Sequence, residues 1–274
     1  MALFLHSDTA LLIDAIKSSA AQAILVTGEM GAGTLEVAKN IAGSSLIDII
    51  QPTDIKGAID TEKGAVRIVQ IREMSERVQT TSQTIETVII DGADTMGAPA
   101  QNAFLKLLEE PRKNLRFILT AHSSTHLLPT ILSRVQRVPL RPISQEQSEN
   151  LIHDLGTTDS RKIQQILFLA NGLPAEISRL AIDDHYFEQQ ITFAGDARIF
   201  LQGTIAEKIV VANRYHASRA HALHFLAITR RILSHSLNAK PSRGIITSLN
   251  LYANAYEAIA AGGNVRLQLL ACVV

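Results

Sequence analysis

The sequence predicts a parallel α/β domain followed by all-α segments, and three observations support this assignment. A short apolar run, Ala23–Thr27, enters a glycine-rich turn and then a helical stretch from Leu35 to Ala42. Two further apolar runs, Thr87–Ile90 and Leu115–Thr120, have the length and composition of strands buried on both faces. From Gln145 onward only helical periodicity remains. Strands that alternate with helices are typical of a parallel sheet covered by helices.

The segment between the second and third apolar runs predicts an amphipathic helix over Pro99–Glu110. Its apolar residues recur at helical spacing, so one face of the helix would pack on the sheet. The alternation of strands and helices ends after Pro139–Pro142, which is the first plausible domain boundary. A second boundary lies at Asp183–His185. We therefore predict three domains, at residues 1–142, 143–184 and 185–274.

The composition argues against a protein that binds nucleic acid by itself. Lys plus Arg and Asp plus Glu both number 26, and aromatic residues make up only 4%. A protein that holds nucleic acid alone is usually basic, and single-strand binders stack bases on aromatic side chains. The only cysteine, Cys272, cannot form an internal disulfide or a cysteine-rich zinc site. With no signal-peptide pattern and no long apolar stretch, we expect a cytoplasmic protein without membrane contact.

The loop after the first strand has the glycine frame of a Walker A phosphate loop, with Gly28, Gly31 and Gly33. Such a loop also needs a lysine for the phosphates and a Ser or Thr for Mg²⁺. Here Thr34 stands at the lysine position and Leu35 at the hydroxyl position, and leucine cannot ligate a hard cation. We interpret the loop as degenerate, without competent ATP binding. An ordinary βα turn is the alternative.

The second strand ends on Asp91, as a Walker B strand does. A carboxylate there can join the Mg²⁺ shell, but a hydrolysing site also needs a glutamate next in the chain to orient water. Gly92 occupies that position. A turn residue or a helix N-cap is the alternative role for Asp91.

Two segments, Ala103–Pro111 and Leu127–Gln136, closely resemble the AAA+ clamp-loader family. The family has a Ser-Arg-Cys motif, and this chain matches it at Ser133 and Arg134, with Val135 in place of the cysteine. The resemblance implies that Arg134 reaches in trans to ATP held by a neighbouring subunit, with Ser133 in the same motif. The alternative is a surface arginine paired with a local carboxylate.

Within that family the resemblance is nearest to the bacterial delta-prime branch. It implies an AAA+ P-loop domain, an all-α lid and an all-α collar that assembles a hetero-oligomer. The implied partners are ATPase subunits, a clamp-opening subunit, the sliding clamp and primer–template DNA. ATP would be bound by neighbours, and neither a cofactor nor a metal is expected in this chain.

The pattern of losses distinguishes the possible roles. Four groups of an ATPase of this family are absent: the lysine, the Mg²⁺-ligating hydroxyl, the catalytic glutamate and an arginine of the helix called sensor 2. The resemblance places that arginine where Ala175 stands. Arg134, by contrast, is present. We therefore predict a subunit that does not hydrolyse ATP but supports hydrolysis by its neighbours. An active ATPase with an atypical loop and a non-catalytic AAA+-derived scaffold remain as alternatives.

Overall fold

The structure is a computed structural model that describes residues 4–19, 21–61, 63–78, 83–110, 112–239 and 241–273. The chain divides into two compact units, Met1–Ile182 and Asp183–Val274. The three predicted domains, with their boundaries at residues 142 and 184, stay a prediction, since the division into two units does not separate a lid from the α/β region.

Unit 1 contains five strands and eight α-helices among its described residues. The strands are β1 (Ala23–Thr27), β2 (Leu46–Ile50), β3 (Glu86–Ile90), β4 (Leu115–Ala121) and β5 (Gln136–Pro139). The helices are α1 (Ser7–Lys17), α2 (Thr34–Ala42), α3 (Ile68–Arg77), α4 (Ala98–Glu109), α5 (Pro129–Leu132), α6 (Gln145–Asp154), α7 (Ser160–Ala170) and α8 (Pro174–Ile182).

The five strands form one parallel sheet in the order β2-β3-β4-β1-β5. The predicted parallel α/β fold is therefore confirmed. The central strands β1, β3 and β4 are the three apolar runs, buried on both faces. The edge strands β2 and β5 were not predicted, because their half-exposed sequences lack a continuous apolar run.

Helix α4 covers the sheet as its periodicity indicates. Phe104 is fully buried and meets Phe117 of β4 edge to face, with ring centroids 5.2 Å apart. The helix spans Ala98–Glu109, one residue earlier at each end than the prediction. Pro111, which closes the matched family segment, lies outside the described residues.

The last three helices of unit 1 begin and end on local sequence signals. Ser144 and Gln147 form a reciprocal capping box at the start of α6. Asn171 ends α7 in the left-handed conformation, with φ of 49°. Pro174 opens α8, where its missing N–H costs no hydrogen bond.

Unit 2 is all-α, with helices α9 (Asp184–Gln202), α10 (Ile205–Tyr215), α11 (Arg219–Ala239), α12 (Arg243–Ala260) and α13 (Val265–Ala271). Its core contains a buried carboxylate, Asp196, which accepts hydrogen bonds from Arg214 and from the hydroxyl of Tyr215. Because a buried charge is costly without partners, this network fixes how α9 packs against α10.

Burial raises the pKa of the Cys272 thiol, at the end of unit 2, from an ordinary value of 9.0 to about 11. The folded state therefore holds the proton more tightly than the unfolded state. Its stabilising effect is complete below about pH 9 and is lost as the pH rises towards 11.

We expect the free energy of unfolding to fall by about 1–3 kcal/mol more between pH 8 and pH 11 in the wild type than in Cys272→Ala, which has no thiol to titrate. Urea denaturation followed by circular dichroism at several pH values measures both slopes. If the free energy of unfolding depends on pH equally in the two proteins, the pKa of the Cys272 thiol is not raised by folding.

Candidate functional site

The glycine loop lies at the carboxyl end of β1 and leads directly into α2. The N–H of Gly28 donates to the carbonyl of Ala121 at 3.2 Å, which continues the β1–β4 pairing into the loop. Gly31 and Gly33 have φ values of 92° and 81°, in the left-handed region that favours glycine. Helix α2 begins at Thr34 with no side-chain cap from Gly33. The loop thus keeps the backbone frame of a phosphate loop.

Thr34 and Leu35 stand at the lysine and hydroxyl positions of a Walker A loop, and both side chains face the protein interior. Thr34 is 7% exposed, and its methyl group lies 3.4 Å from where a Cβ on Gly28 would stand. Leu35 packs against the core. Thr34 provides no cation for phosphates and Leu35 provides no oxygen ligand for Mg²⁺, which are the groups that a Walker A loop has at these two positions.

Helix α8 packs directly against this loop. The carbonyl of Gly31 accepts hydrogen bonds from the N–H groups of Ala175 and Glu176, at 2.9 and 3.1 Å. The Cβ of Ala175 lies 3.7 Å from the position that a Cβ on Gly33 would take. A small side chain therefore occupies the position at which the family resemblance places an arginine in an ATPase.

Asp91 is held between neighbouring strand ends. Its Oδ1 accepts the hydroxyl of Thr120 at 2.6 Å, and its Oδ2 accepts the amide of Gln51 at 3.3 Å. These contacts join β2, β3 and β4 at their carboxyl ends. The side chain thus makes cross-strand hydrogen bonds, and the residue itself lies in a turn, which is one of the two alternatives of the sequence analysis.

Gly92 is constrained by its backbone as well as by its neighbours. Its φ is 63°, and a Cβ built on it would lie 2.9 Å from Cγ of Pro52. Its N–H donates to the Thr120 hydroxyl at 3.0 Å. A glutamate at this position would require a strained backbone and a displaced proline.

Two polar residues near the carboxyl ends of the strands, Thr120 and Asp94, were not predicted as site residues. Thr120 links Asp91 to Gly92, and Asp94 accepts the N–H groups of His122 and Ser123, both at 3.0 Å. The available signal was a polar residue, Thr120, at the end of an otherwise apolar strand. The Asp94 contacts cross 28 and 29 residues of chain, and no local pattern reveals them.

Arg134 follows the short helix α5 and lies at the protein surface, with its side chain 40% exposed. One terminal nitrogen donates to the carbonyl of Thr130 at 3.0 Å, and the other lies 3.2 Å from Oε1 of Glu109. The local carboxylate considered in the sequence analysis is therefore present. Because both partners of the ion pair are solvent-exposed, the pair contributes at most about 1 kcal/mol.

Ser133 belongs to the turn that presents the arginine. Its hydroxyl donates to the carbonyl of Thr130 at 3.0 Å and lies 3.5 Å from a terminal nitrogen of Arg134. Thr130 thus accepts from both residues of the Ser-Arg pair. Ser133 and Arg134 are thus both hydrogen-bonded to the last turn of α5.

Arg134 and the glycine loop lie at opposite edges of the sheet. Gln136, two residues after Arg134, pairs with Ile24 near the start of β1, whereas the loop begins at Gly28 beyond its end. Since β1 and β5 are parallel, the four residues from Ile24 to Gly28 separate the two levels by about 13 Å. The guanidinium lies on the side of the domain away from its own loop.

Two features are absent from the part of the chain that the structure describes. In those residues no group of three or more His, Cys, Asp and Glu side chains is arranged to hold a metal ion. Across the same ranges, no helix is long and apolar enough to cross a membrane.

The fold agrees with the predicted AAA+ class, and solved structures of the same fold support this assignment. A DNA polymerase III gamma subunit-related protein from Thermotoga maritima matches with a TM-score of 0.54 and 19% identity, covering 97% of both chains. The Thermotoga maritima RuvB branch migration motor matches with a TM-score of 0.51 and 11% identity, over 71% of this chain and 74% of RuvB. At these identities the likeness concerns the fold alone.

Sequence comparison narrows the class. Residues 9–144 match the family described as DNA polymerase III, delta subunit. The subunit delta' of DNA polymerase III from Haemophilus influenzae is 26% identical over 203 residues, 73% of this chain and 60% of the relative. That from Pseudomonas aeruginosa is 33% identical over 118 residues, 42% of this chain and 36% of the relative. Over residues 9–144 the chain is therefore similar to the delta-prime-like members of the clamp-loader family.

A eukaryotic relative matches as well. Replication factor C subunit 3 of Saccharomyces cerevisiae is 32% identical over 108 residues, 38% of this chain and 32% of that protein. The matched stretch spans 60% or less of the length of these three relatives.

We expect Gly92→Glu to destabilise unit 1 by about 1–4 kcal/mol, because the new side chain meets Pro52 and forces a left-handed backbone on a non-glycine residue. Urea denaturation measures the change.

Gly97→Glu is the matched control, since Gly97 has a φ of −68° and its Cβ position is 3.7 Å from the nearest atom. It should alter stability by less than about 1 kcal/mol. Equal destabilisation by both substitutions would refute the steric account of Gly92.

Proposed function

We propose that this chain is a non-hydrolysing, delta-prime-like subunit of a DNA polymerase III clamp loader that supplies Arg134 in trans to ATP bound by a neighbour. The observation that carries the proposal is the exposed guanidinium of Arg134 at the sheet edge opposite its own degenerate loop. A group in that place is accessible to another protomer but not to the glycine loop of its own domain.

The chemistry of the residue suits this role. A guanidinium brought to a transferring phosphoryl group stabilises the charge that spreads over its oxygens, an effect of about 10³–10⁵ in rate in related systems. The exposed pair with Glu109 is weak enough for a phosphate to replace the carboxylate as the partner of Arg134.

The absence of hydrolysis in the chain itself follows from the groups at the loop. Thr34, Leu35, Gly92 and Ala175 replace four groups that bind or activate Mg·ATP, and each such loss raises the barrier by a few kcal/mol. The partners proposed are the ATPase subunits, the clamp-opening subunit and the sliding clamp of the polymerase holoenzyme. Because the formal net charge is zero, primer–template DNA is contacted through the assembly.

Arg134→Ala tests the role in trans. In the reconstituted assembly we expect DNA-stimulated ATP hydrolysis at the adjacent site to fall by about 10²-fold or more, with assembly unchanged. Arg134→Lys should recover only part of the rate, because an ammonium lacks the planar fork of donors. Steady-state ATPase assays, with assembly checked by gel filtration, measure both effects.

Arg141→Ala is the matched control, because Arg141 is also an exposed arginine paired with a carboxylate, that of Asp8 at 2.6 Å. It should leave the rate within about twofold of the wild type. If Arg134→Ala leaves the rate unchanged, the scaffold hypothesis is favoured and the arginine has no catalytic part.

Nucleotide binding tests the alternative of an active ATPase. Isothermal titration of the isolated full chain with Mg·ATP should give no binding at micromolar concentrations, because the loop has neither a phosphate-binding lysine nor a Mg²⁺ ligand. A micromolar Kd would support an ATPase with an atypical loop and would count against the proposal.

A further inference from the structure

We infer that the glycine loop has exchanged its nucleotide for a ligand within the same chain, the N-terminus of helix α8. The observation is the pair of hydrogen bonds from the N–H groups of Ala175 and Glu176 to the carbonyl of Gly31. This inference concerns the loop and the last helices of unit 1, and it holds whether or not Arg134 acts on a neighbour.

The contact provides a hydrogen-bond acceptor for the first N–H groups of helix α8. The first N–H groups of any α-helix have no partner within that helix and must find an acceptor elsewhere. At α8 (Pro174–Ile182) the first residue is proline and has no N–H, and the next two N–H groups both point at Gly31. The loop therefore caps α8 with backbone atoms, where most helices use a Ser, Thr, Asp or Asn side chain.

The contact also explains why position 31 is glycine. Its φ is 92°, and a Cβ built there would lie 2.8 Å from the Cβ of Glu176. Real Cβ atoms do not approach so closely. The loop and the first turn of α8 touch backbone to backbone only because this residue has no side chain.

The charge of Glu176 also favours helix α8 over a nucleotide as the partner of the glycine loop. Its Oε2 lies 3.6 Å from the Cβ position of Gly31, so a carboxylate stands beside the frame that holds phosphates in an active loop. In the first turn of α8 this negative charge is stabilised by the partial positive charge of the helix N-terminus. The same carboxylate repels a phosphate that approaches the loop.

The consequence is a loop that fixes helices instead of sensing nucleotide. Helix α8 also packs against α6 and α7, so an α8 held by Gly31 holds the helical segment after residue 143 against the α/β sheet. A second backbone hydrogen bond, from the N–H of Ile143 to the carbonyl of Gly172 at 2.8 Å, joins the start of this segment to the turn that precedes α8. The arrangement needs no bound ATP.

Hydrogen exchange of the full 274-residue chain, resolved to single amides by NMR, tests the inference. In the wild type the amides of Ala175 and Glu176 should exchange at least about tenfold more slowly than their unstructured rates, and millimolar Mg·ATP should not change them. In Gly31→Ala both amides should lose at least about tenfold of that protection, because the added Cβ pushes α8 away.

Gly57→Ala is the matched control, since Gly57 has a nearly equal φ of 87° and nothing lies within 4 Å of its Cβ position. It imposes the same backbone strain without touching α8, and the two amides should keep their protection within about twofold. Equal loss of protection in the two variants would overturn the inference.

The wild type alone also decides the question if Gly31→Ala does not fold. Unprotected amides at Ala175 and Glu176 would overturn the inference, as would protection of loop amides 28–34 by Mg·ATP. Failure here leaves the ATPase assay of Arg134→Ala unaffected, so the two proposals fail separately.

Discussion

The polarity of one parallel sheet determines where chemistry is possible in this chain. All five strands run in the same direction, so their carboxyl ends gather the glycine loop, Asp91 and Thr120 at one edge. Their amino ends place Arg134 at the other edge. The parallel sheet thus separates the glycine loop, Asp91 and Thr120 from Arg134, which is exposed on the other side of the domain.

At the carboxyl edge, the polar groups that a hydrolysing enzyme would direct at its ligand are used within the protein. Asp91 accepts from Thr120 and Gln51, and Asp94 accepts from two backbone N–H groups. The carbonyl of Gly31 accepts from helix α8. Hydrogen bonds of this kind stabilise the fold, since buried polar groups are costly when they lack partners. These hydrogen bonds join the carboxyl ends of the strands to one another and to helix α8.

The sequence was sufficient for the parts of the molecule that depend on local pattern. Strands β1, β3 and β4 and helix α4 were predictable because burial imposes an apolar run or a helical period on each of them. The edge strands β2 and β5 pair on one side only and carry no such run. The contacts of Asp94 and Gly31 join residues far apart in the chain, so only the folded structure shows them. Arg134 was found through its family motif, and its exposure through the structure.

The left-handed backbone at Gly92 has a consequence for substitution. Pro52 occupies the space that a side chain at position 92 would need, so a mutation that introduces glutamate there meets a backbone and a neighbour that both oppose it. A glutamate at position 92 would also require a change at Pro52. One turn therefore makes the identity of position 92 depend on that of position 52, forty residues away in the chain.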